Sequence, residues 1–263
     1  MSQKRLVKIV MPLYTDKINQ YEKVSLVQAH NMLSRYPITI VKPASLNIDH
    51  FLKEFPNFET ENFDDSFFIS VSSYNRLMMS SEFYERFIDY KYILICQLDA
   101  YIFKDELEDW CSKDYDYIGA PWLVRPIYNF PLFRLISWIR DGYCRVSHHP
   151  NPRLLEFKAG NGGLSLRKVS NHLKATNLLS ETIQEYLSHK KNHLFNEDVF
   201  FSVEVNKHGL NFLYPSYQEA LKFSFDKYPK LCFQINNQQL PFGCHSWYKR
   251  KMRQFWLPII CGN

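Results

Sequence analysis

The stretch Tyr92–Phe103, YILICQLDAYIF, opens as an apolar run and then places Gln97 and Asp99 where the run should close. The residues Tyr92–Cys96 carry no charge and are rich in β-branched and aromatic side chains. They predict an interior strand of a parallel sheet whose two faces are both covered. In open α/β sheets the carboxyl ends of such strands open into the ligand crevice, so an acid there can meet a cation or a ligand hydroxyl. An Asp in that position can equally cap the following turn. The strand alone leaves both readings of Asp99 standing.

The segments on either side extend the pattern. LVKIVM, Leu6–Met11, stopped by Pro12, predicts a first strand. Leu26, Ala29, Leu33 and Tyr36 recur at i, i+3, i+7 and i+10, the stripe of an amphipathic helix that Pro37 closes, and ITIV, Ile38–Val41, follows as a second strand. This β-α-β order favours a right-handed crossover in a nucleotide-binding type of α/β sheet. Leu77, Tyr84 and Phe87 mark a further helix between Ser72 and Tyr90, which feeds directly into the Tyr92 strand. Glu106–Cys111 reads as a short helix and DYIGAPW, Asp116–Trp122, as a strand turning at Gly119 and Pro121.

The region 125–153, with FPLFRLISWIR at its centre, predicts a short helix or a flap over a site, with a buried insertion as the equal alternative. In KAGNGGLSLRK, Lys158–Lys168, the glycines at 160, 162 and 163 permit close backbone approach or positive φ; no GK[ST] follows, so this is not a Walker loop. Helices are expected over Val169–Leu179 and Glu181–Lys190. In NEDVFFSVEVNKHG, Asn196–Gly209, Asn196 predicts an N-cap and Glu197 and Asp198 fall in the first turn, where the helix dipole favours them. A carboxylate there that faces a crevice is also a usable general base. His245, in LPFGCHSWYK, follows a glycine turn.

Composition bounds the rest. With 46% hydrophobic and 22% charged residues the chain is globular, and no linker-like stretch divides it, so residues 1–263 are expected to form a single domain. MSQKRLVKIVMPLY lacks the apolar core of a secretory signal and no segment has the length of a membrane span, which predicts a soluble, cytoplasmic protein. The six cysteines show neither CxxC nor zinc spacing, so reduced thiols are expected. Net charge is +5 and the cations gather in WYKRKMRQFW, Trp247–Trp256, inside a basic aromatic tail at 247–263. That tail suits an anionic membrane surface, the alternative being a packed helix with a solvated cationic face. No nucleic-acid motif accompanies it, so nucleic acid is not an expected partner.

Taken in order, QLDAYIF, DYIGAPW, GNGGLSLRK, NEDVFFS and LPFGCHSW resemble DUF5672, a family of small bacterial proteins regarded as glycosyltransferase-like with a GT-A type, Rossmann-like fold. The resemblance covers nearly the whole chain and includes the strand ending in MPLY, with Pro12 and Tyr14, and Glu22 at the opening of the next helix. It implies a mostly parallel central sheet flanked by helices. It also implies transfer of a sugar from a nucleotide-sugar donor to a glycan or lipid-linked acceptor, in bacterial surface polysaccharide synthesis and with inversion. GT-A enzymes hold Mn²⁺ or Mg²⁺ through a DxD motif at a strand end, where the ion neutralises the leaving diphosphate. Here the corresponding QLDAY retains only Asp99: Gln97 replaces the first acid in one frame and Tyr101 the second in the other.

By the same resemblance His245 is a second metal ligand, and Pro12, Tyr14, Glu22, Gln97, Asp99, Asn161, Gly162, Gly163 and Arg167 contact the donor. Asp198 is the base that takes the acceptor's proton, with Glu197 as its competitor, and the tail cations, Arg167 and Lys168 stand near the diphosphate. The alternatives are a non-catalytic sugar-nucleotide or glycan-binding domain on the same fold, a glycoside hydrolase, for which no flanking carboxylate pair is evident, and a nucleotidyltransferase, which would need a richer acid cluster.

Overall fold

The structure, a computed structural model, describes residues 4–124, 131–147, 151–189 and 192–262. Its centre is a six-stranded sheet built from β1 (Arg5–Pro12), β2 (Ile38–Pro43), β3 (Glu59–Phe63), β4 (Tyr90–Cys96), β6 (Tyr117–Gly119) and β7 (Leu164–Lys168), in the order β3-β2-β1-β4-β7-β6. The first four strands are mutually parallel; β7 runs antiparallel to both β4 and β6. A small second sheet, β5-β9-β8, joins β5 (Tyr101–Ile102), β8 (Ser224–Phe225) and β9 (Gly243–Cys244). This is the mixed α/β, mostly parallel architecture expected from the sequence.

Period-two alternation sends the two faces of each central strand into different cores. Tyr92, Leu94 and Cys96 of β4 join Ile9, Met11 and Ile40 beneath the Gln20–Leu33 helix, whose Leu26, Ala29 and Leu33 are buried as the stripe predicts. Ile93 and Ile95 join Val10 and Val41 on the other face, against Tyr84, Phe87, Val169, Phe200 and Phe201. Two-sided burial is why these strands carry apolar runs.

Two boundaries differ from expectation. The single helix foreseen over 72–90 is two, Val71–Met78 and Ser81–Glu85, because Ser80 turns its hydroxyl onto the Phe83 N–H and caps a new start. The edge strand β3, ETENF, was not foreseen at all: only Phe63 is buried there. Part of the foreseen flap, 125–130 and 148–150, lies outside the described residues. Residues Pro131–Ser147 form one helix. Of the tail, Trp247 and Trp256 are fully buried, and Trp247 Nε1 donates to Ser25 Oγ at 2.8 Å. The tail therefore presents to solvent its cations rather than its indoles.

Candidate active site

Strand β4 ends at Cys96, and the chain turns through Gln97 and Asp99 at the carboxyl edge of the parallel strands. The turn is tied down by the Gln97 N–H, which donates to the Gly163 carbonyl at 2.9 Å. The small sheet brings two more residues to the same place: Phe225 and Cys244 are paired in parallel register, so the residues after them, Asp226 and His245, lie side by side. His245 Nδ1 is 3.1 Å from Asp226 Oδ1, and its Nε2 is 3.0 Å from Asp99 Oδ1 and 3.3 Å from Gln97 Oε1. Lys249 Nζ lies 2.8 Å from the other oxygen of Asp99. Burial opposes the imidazole's charge, but the carboxylates on either side outweigh it and push His245 up to about 10. Burial likewise works against the Asp99 carboxylate, yet His245 and Lys249 hold it well below the usual range.

The opposite wall comes from the start of the helical run at Glu197. Asn196 is the cap residue by position, but its side chain does not cap. It accepts from Asn75 Nδ2 at 2.9 Å, and the Glu197 N–H points to Asn75 Oδ1 at 3.4 Å instead. Glu197 is turned inward. Its carboxylate makes a two-point pair with Arg167, at 3.0 and 3.1 Å, and Arg167 also donates to Tyr84 Oη and Ser165 Oγ beneath the rings of Tyr117 and Phe201. Asp198 is left half-buried, with one hydrogen bond from the Val199 N–H and, among the described residues, no ion-pair partner. Burial, then the neighbouring Glu197 carboxylate, pushes Asp198 up to about 7.

The glycines between these walls are set by close approach rather than by backbone conformation. Among described glycines only Gly209 has positive φ. A Cβ on Gly163 would overlap His245 Nε2, and one on Gly162 would overlap Glu197 Oε1. Gly163→Ala should therefore push His245 out from between Asp99 and Asp226. The expected result is loss of the imidazole resonance that titrates near pH 10, read by NMR, while far-ultraviolet circular dichroism stays native. An unchanged resonance would show that the imidazole has room to move aside.

A cleft of about 540 Å³ lies between the walls. Gln97, Asn161, Gly162, Gly163, Glu197, Asp198 and His245 all line it, as does Tyr14, whose ring meets Tyr74 edge-on at 5.6 Å. Asp99 reaches it through Lys249 and His245. The sequence thus brings most of its candidates together, and four fall elsewhere. Pro12 is buried at the end of β1. Glu22 closes a capping box with Asn19 and accepts from Tyr248 Oη at 3.1 Å. Arg167, fully buried, is spent on Glu197 and does not reach the cleft; Lys168 pairs with Asp114 and Asp116. Asp226, Tyr74 and Asn75 were not foreseen. The cue for Asp226 is the one that marked Asp99, an acid just past the end of a strand, but the strand has only two residues.

Among the described residues no three His, Cys, Asp or Glu side chains gather to hold a metal ion. Two of them, Asp99 and His245, do converge with the Gln97 amide. Their separations of 3.0 and 3.3 Å match neighbouring ligands on an octahedral ion with bonds of about 2.1 Å. Asp226, on the other nitrogen of His245, is placed as a carboxylate would be to orient that imidazole toward an ion. The three donors thus fit a hard divalent ion such as Mn²⁺ or Mg²⁺, with His245 giving up its proton to bind it.

DUF5672, described as a protein of unknown function, matches residues 57–245. No curated protein matches the sequence. Among solved structures, the galactosyltransferase LgtC, in complex with donor and acceptor sugar analogues, is similar over 97% of this chain and 94% of that one, with a TM-score of 0.55 at 12% identity. The glycosyltransferase GlyE of Streptococcus pneumoniae TIGR4 is similar over 94% of this chain and 56% of its own, with a TM-score of 0.53 at 11% identity. Mouse xyloside xylosyltransferase 1 is similar over 91% and 97%, with a TM-score of 0.51 at 10% identity. At these identities the likeness is one of fold, and the fold is of GT-A type.

Proposed function

Since the chain belongs to the DUF5672 family and carries the GT-A fold, we propose that it transfers a sugar from a nucleoside-diphosphate donor to a hydroxyl of a glycan or lipid-linked acceptor, in bacterial surface polysaccharide synthesis. One observation carries the reading: a cationic corner, Lys249 with His245, and an unpaired carboxylate, Asp198, share one cleft at the carboxyl edge of the parallel strands. The acceptor oxygen forms its bond to the anomeric carbon as the bond from that carbon to the diphosphate oxygen breaks. The electron pair leaves with the diphosphate and the acceptor's proton passes to Asp198. A single displacement of this kind inverts the anomeric centre.

Lys249 is the cation best placed to follow the leaving charge, because its chain is exposed and its ammonium already rests on Asp99. A divalent ion held by Gln97, Asp99 and His245 would add electrostatic stabilisation of that same charge. Asn161, whose Nδ2 donates to Asp226 at 3.2 Å, and Tyr14 stand where they meet sugar hydroxyls or the nucleotide. The exposed cations Arg250, Lys251 and Arg253 support peripheral contact with an anionic membrane surface on the cytoplasmic side. Among the described residues no helix is long and apolar enough to cross a membrane.

A melting-point panel of nucleoside diphosphates and sugar nucleotides tests the donor class, with Mn²⁺ or with a chelator. A ligand at 100 times its Kd stabilises by about 2.7 kcal/mol. One nucleoside diphosphate should raise the melting point in the wild type and not in Lys249→Met. A panel without any shift would dispose of the donor assignment. The neutral amide at Gln97 favours a second reading, a binding domain without turnover. Steady release of nucleoside diphosphate from the donor that the panel selects excludes it.

A further inference from the structure

We propose that the outward face of the Pro131–Ser147 helix is a membrane-docking surface that lies in the plane of an anionic lipid layer and holds the cleft against it. A helix on a globular surface ordinarily turns its apolar stripe inward and its polar side to water. Among the described side chains of this helix, the large apolar ones are turned to water instead. Leu135, Trp138, Ile139 and Val146, spaced by three, four and seven to eleven residues on one face, are 54%, 72%, 58% and 84% exposed, and Ile136 at the rim is 52% exposed. The acidic Asp141 is turned toward the protein, where it pairs with Arg153 and accepts from Asn151 at 2.9 Å. Single exposed apolar residues are ordinary, but several side by side on one helix mark a surface that something apolar covers.

The surrounding charge identifies the occupant. Exposed Arg140, on this helix, and exposed Lys227 line a side cavity of about 230 Å³ together with Tyr228 and two acids that already have partners, Glu156 on Arg153 and Asp226 on His245. Tyr228 also lines the adjoining cleft that holds Lys230 and Lys251. An apolar stripe containing Trp, bordered by Arg and Lys, is the composition that settles in a bilayer interface, with hydrocarbon beneath the stripe and lipid phosphates at its rim. A second copy of the chain would set these cations against themselves, so the lipid surface is the better match.

The same cavity adjoins the reaction centre. Asp226 lines it, while the carboxylate of Asp226 receives Asn161 Nδ2 and His245 Nδ1 from the main cleft. Docking through this helix would bring an acceptor carried in the lipid layer to the cavity's mouth. That last step rests on the glycosyl-transfer reading; docking itself does not.

Sedimentation with vesicles of phosphatidylcholine, with and without phosphatidylglycerol, tests it. The wild type should pellet with the anionic vesicles and dissociate as salt is raised. The double variant Trp138→Ser, Ile139→Ser should partition at least roughly tenfold more weakly at an unchanged melting point, because the lost side chains are exposed in the free protein and buried only against lipid. Equal pelleting of variant and wild type overturns the proposal, as does a wild type that ignores both kinds of vesicle. A wild-type dimer that the double variant turns into a monomer also overturns it, by assigning the face to self-association. Release of nucleoside diphosphate in free solution should be the same in both proteins, so a failure of docking is read separately from a failure of glycosyl transfer.

Discussion

Asp198→Asn lowers sugar transfer by roughly 10²–10⁴-fold with little change in donor affinity, the range expected when a positioned general base is removed. Asparagine keeps the shape of the side chain and can still meet the Val199 N–H, so folding is spared. What it loses is the ability to accept a proton. The pH profile gives the same test a second arm. Because burial and Glu197 raise Asp198 to about 7, its basic form grows as pH rises through that value, and the rate should climb to a plateau above it. In Asp198→Asn the climb should vanish. A variant that transfers sugar at the wild-type rate, or that keeps the rising limb, would move the base elsewhere.

Arg167→Met destabilises the fold by about 3–5 kcal/mol, because it strands the Glu197 carboxylate in a buried site. Arg167 is fully buried and Glu197 nearly so, and their two contacts are the main compensation either charge has. For a chain of this size the loss corresponds to a fall in melting temperature of roughly 10 °C. Adding Glu197→Gln should recover a large share, since the stranded charge and not the missing arginine is the main cost. A single variant that melts within a degree of the wild type would show that water or another cation reaches Glu197. Arg167 also holds Asp198 down, against burial and Glu197. In Arg167→Met the rising limb of the pH profile should therefore move to higher pH.

The parts of this fold written in the sequence are those whose surroundings are uniform along an element. β1, β2 and β4 are covered on both faces and so read as apolar runs; the Gln20–Leu33 helix is covered on one side and reads as a stripe. β3 has water along most of its length, and β8 and β9 are too short for any period to appear. Site residues followed the same division. Gln97 and Asp99 were marked by the long strand before them, whereas Asp226 sits after two residues of strand and carried no comparable mark.

Sequence signals were also correct about a residue and silent about its reason. The glycines at 162 and 163 suggested close approach to a ligand or a positive-φ turn; their φ is not positive, and what presses on them is Glu197 and His245. Asn196 suggested a cap, and its side chain is taken by Asn75, which lies 121 positions away in the chain. Aromatic residues beside cations left the tail either a membrane face or a packed helix with a solvated cationic side; Trp247 and Trp256 are fully buried, while Trp138, in a segment read for other reasons, is 72% exposed. Composition reports which residue types adjoin in sequence; the side on which each lands is decided by distant partners.

The small sheet has a consequence for biosynthesis. Its middle strand, β9, is the last of the three to leave the ribosome, and it must slide between β5 and β8, which are already made. His245 and Lys249 arrive with it. A nascent chain therefore makes most of the cleft wall, Asp99 and Glu197 included, before it owns His245 and Lys249, and the cleft is whole only once β9 and the residues after it have emerged.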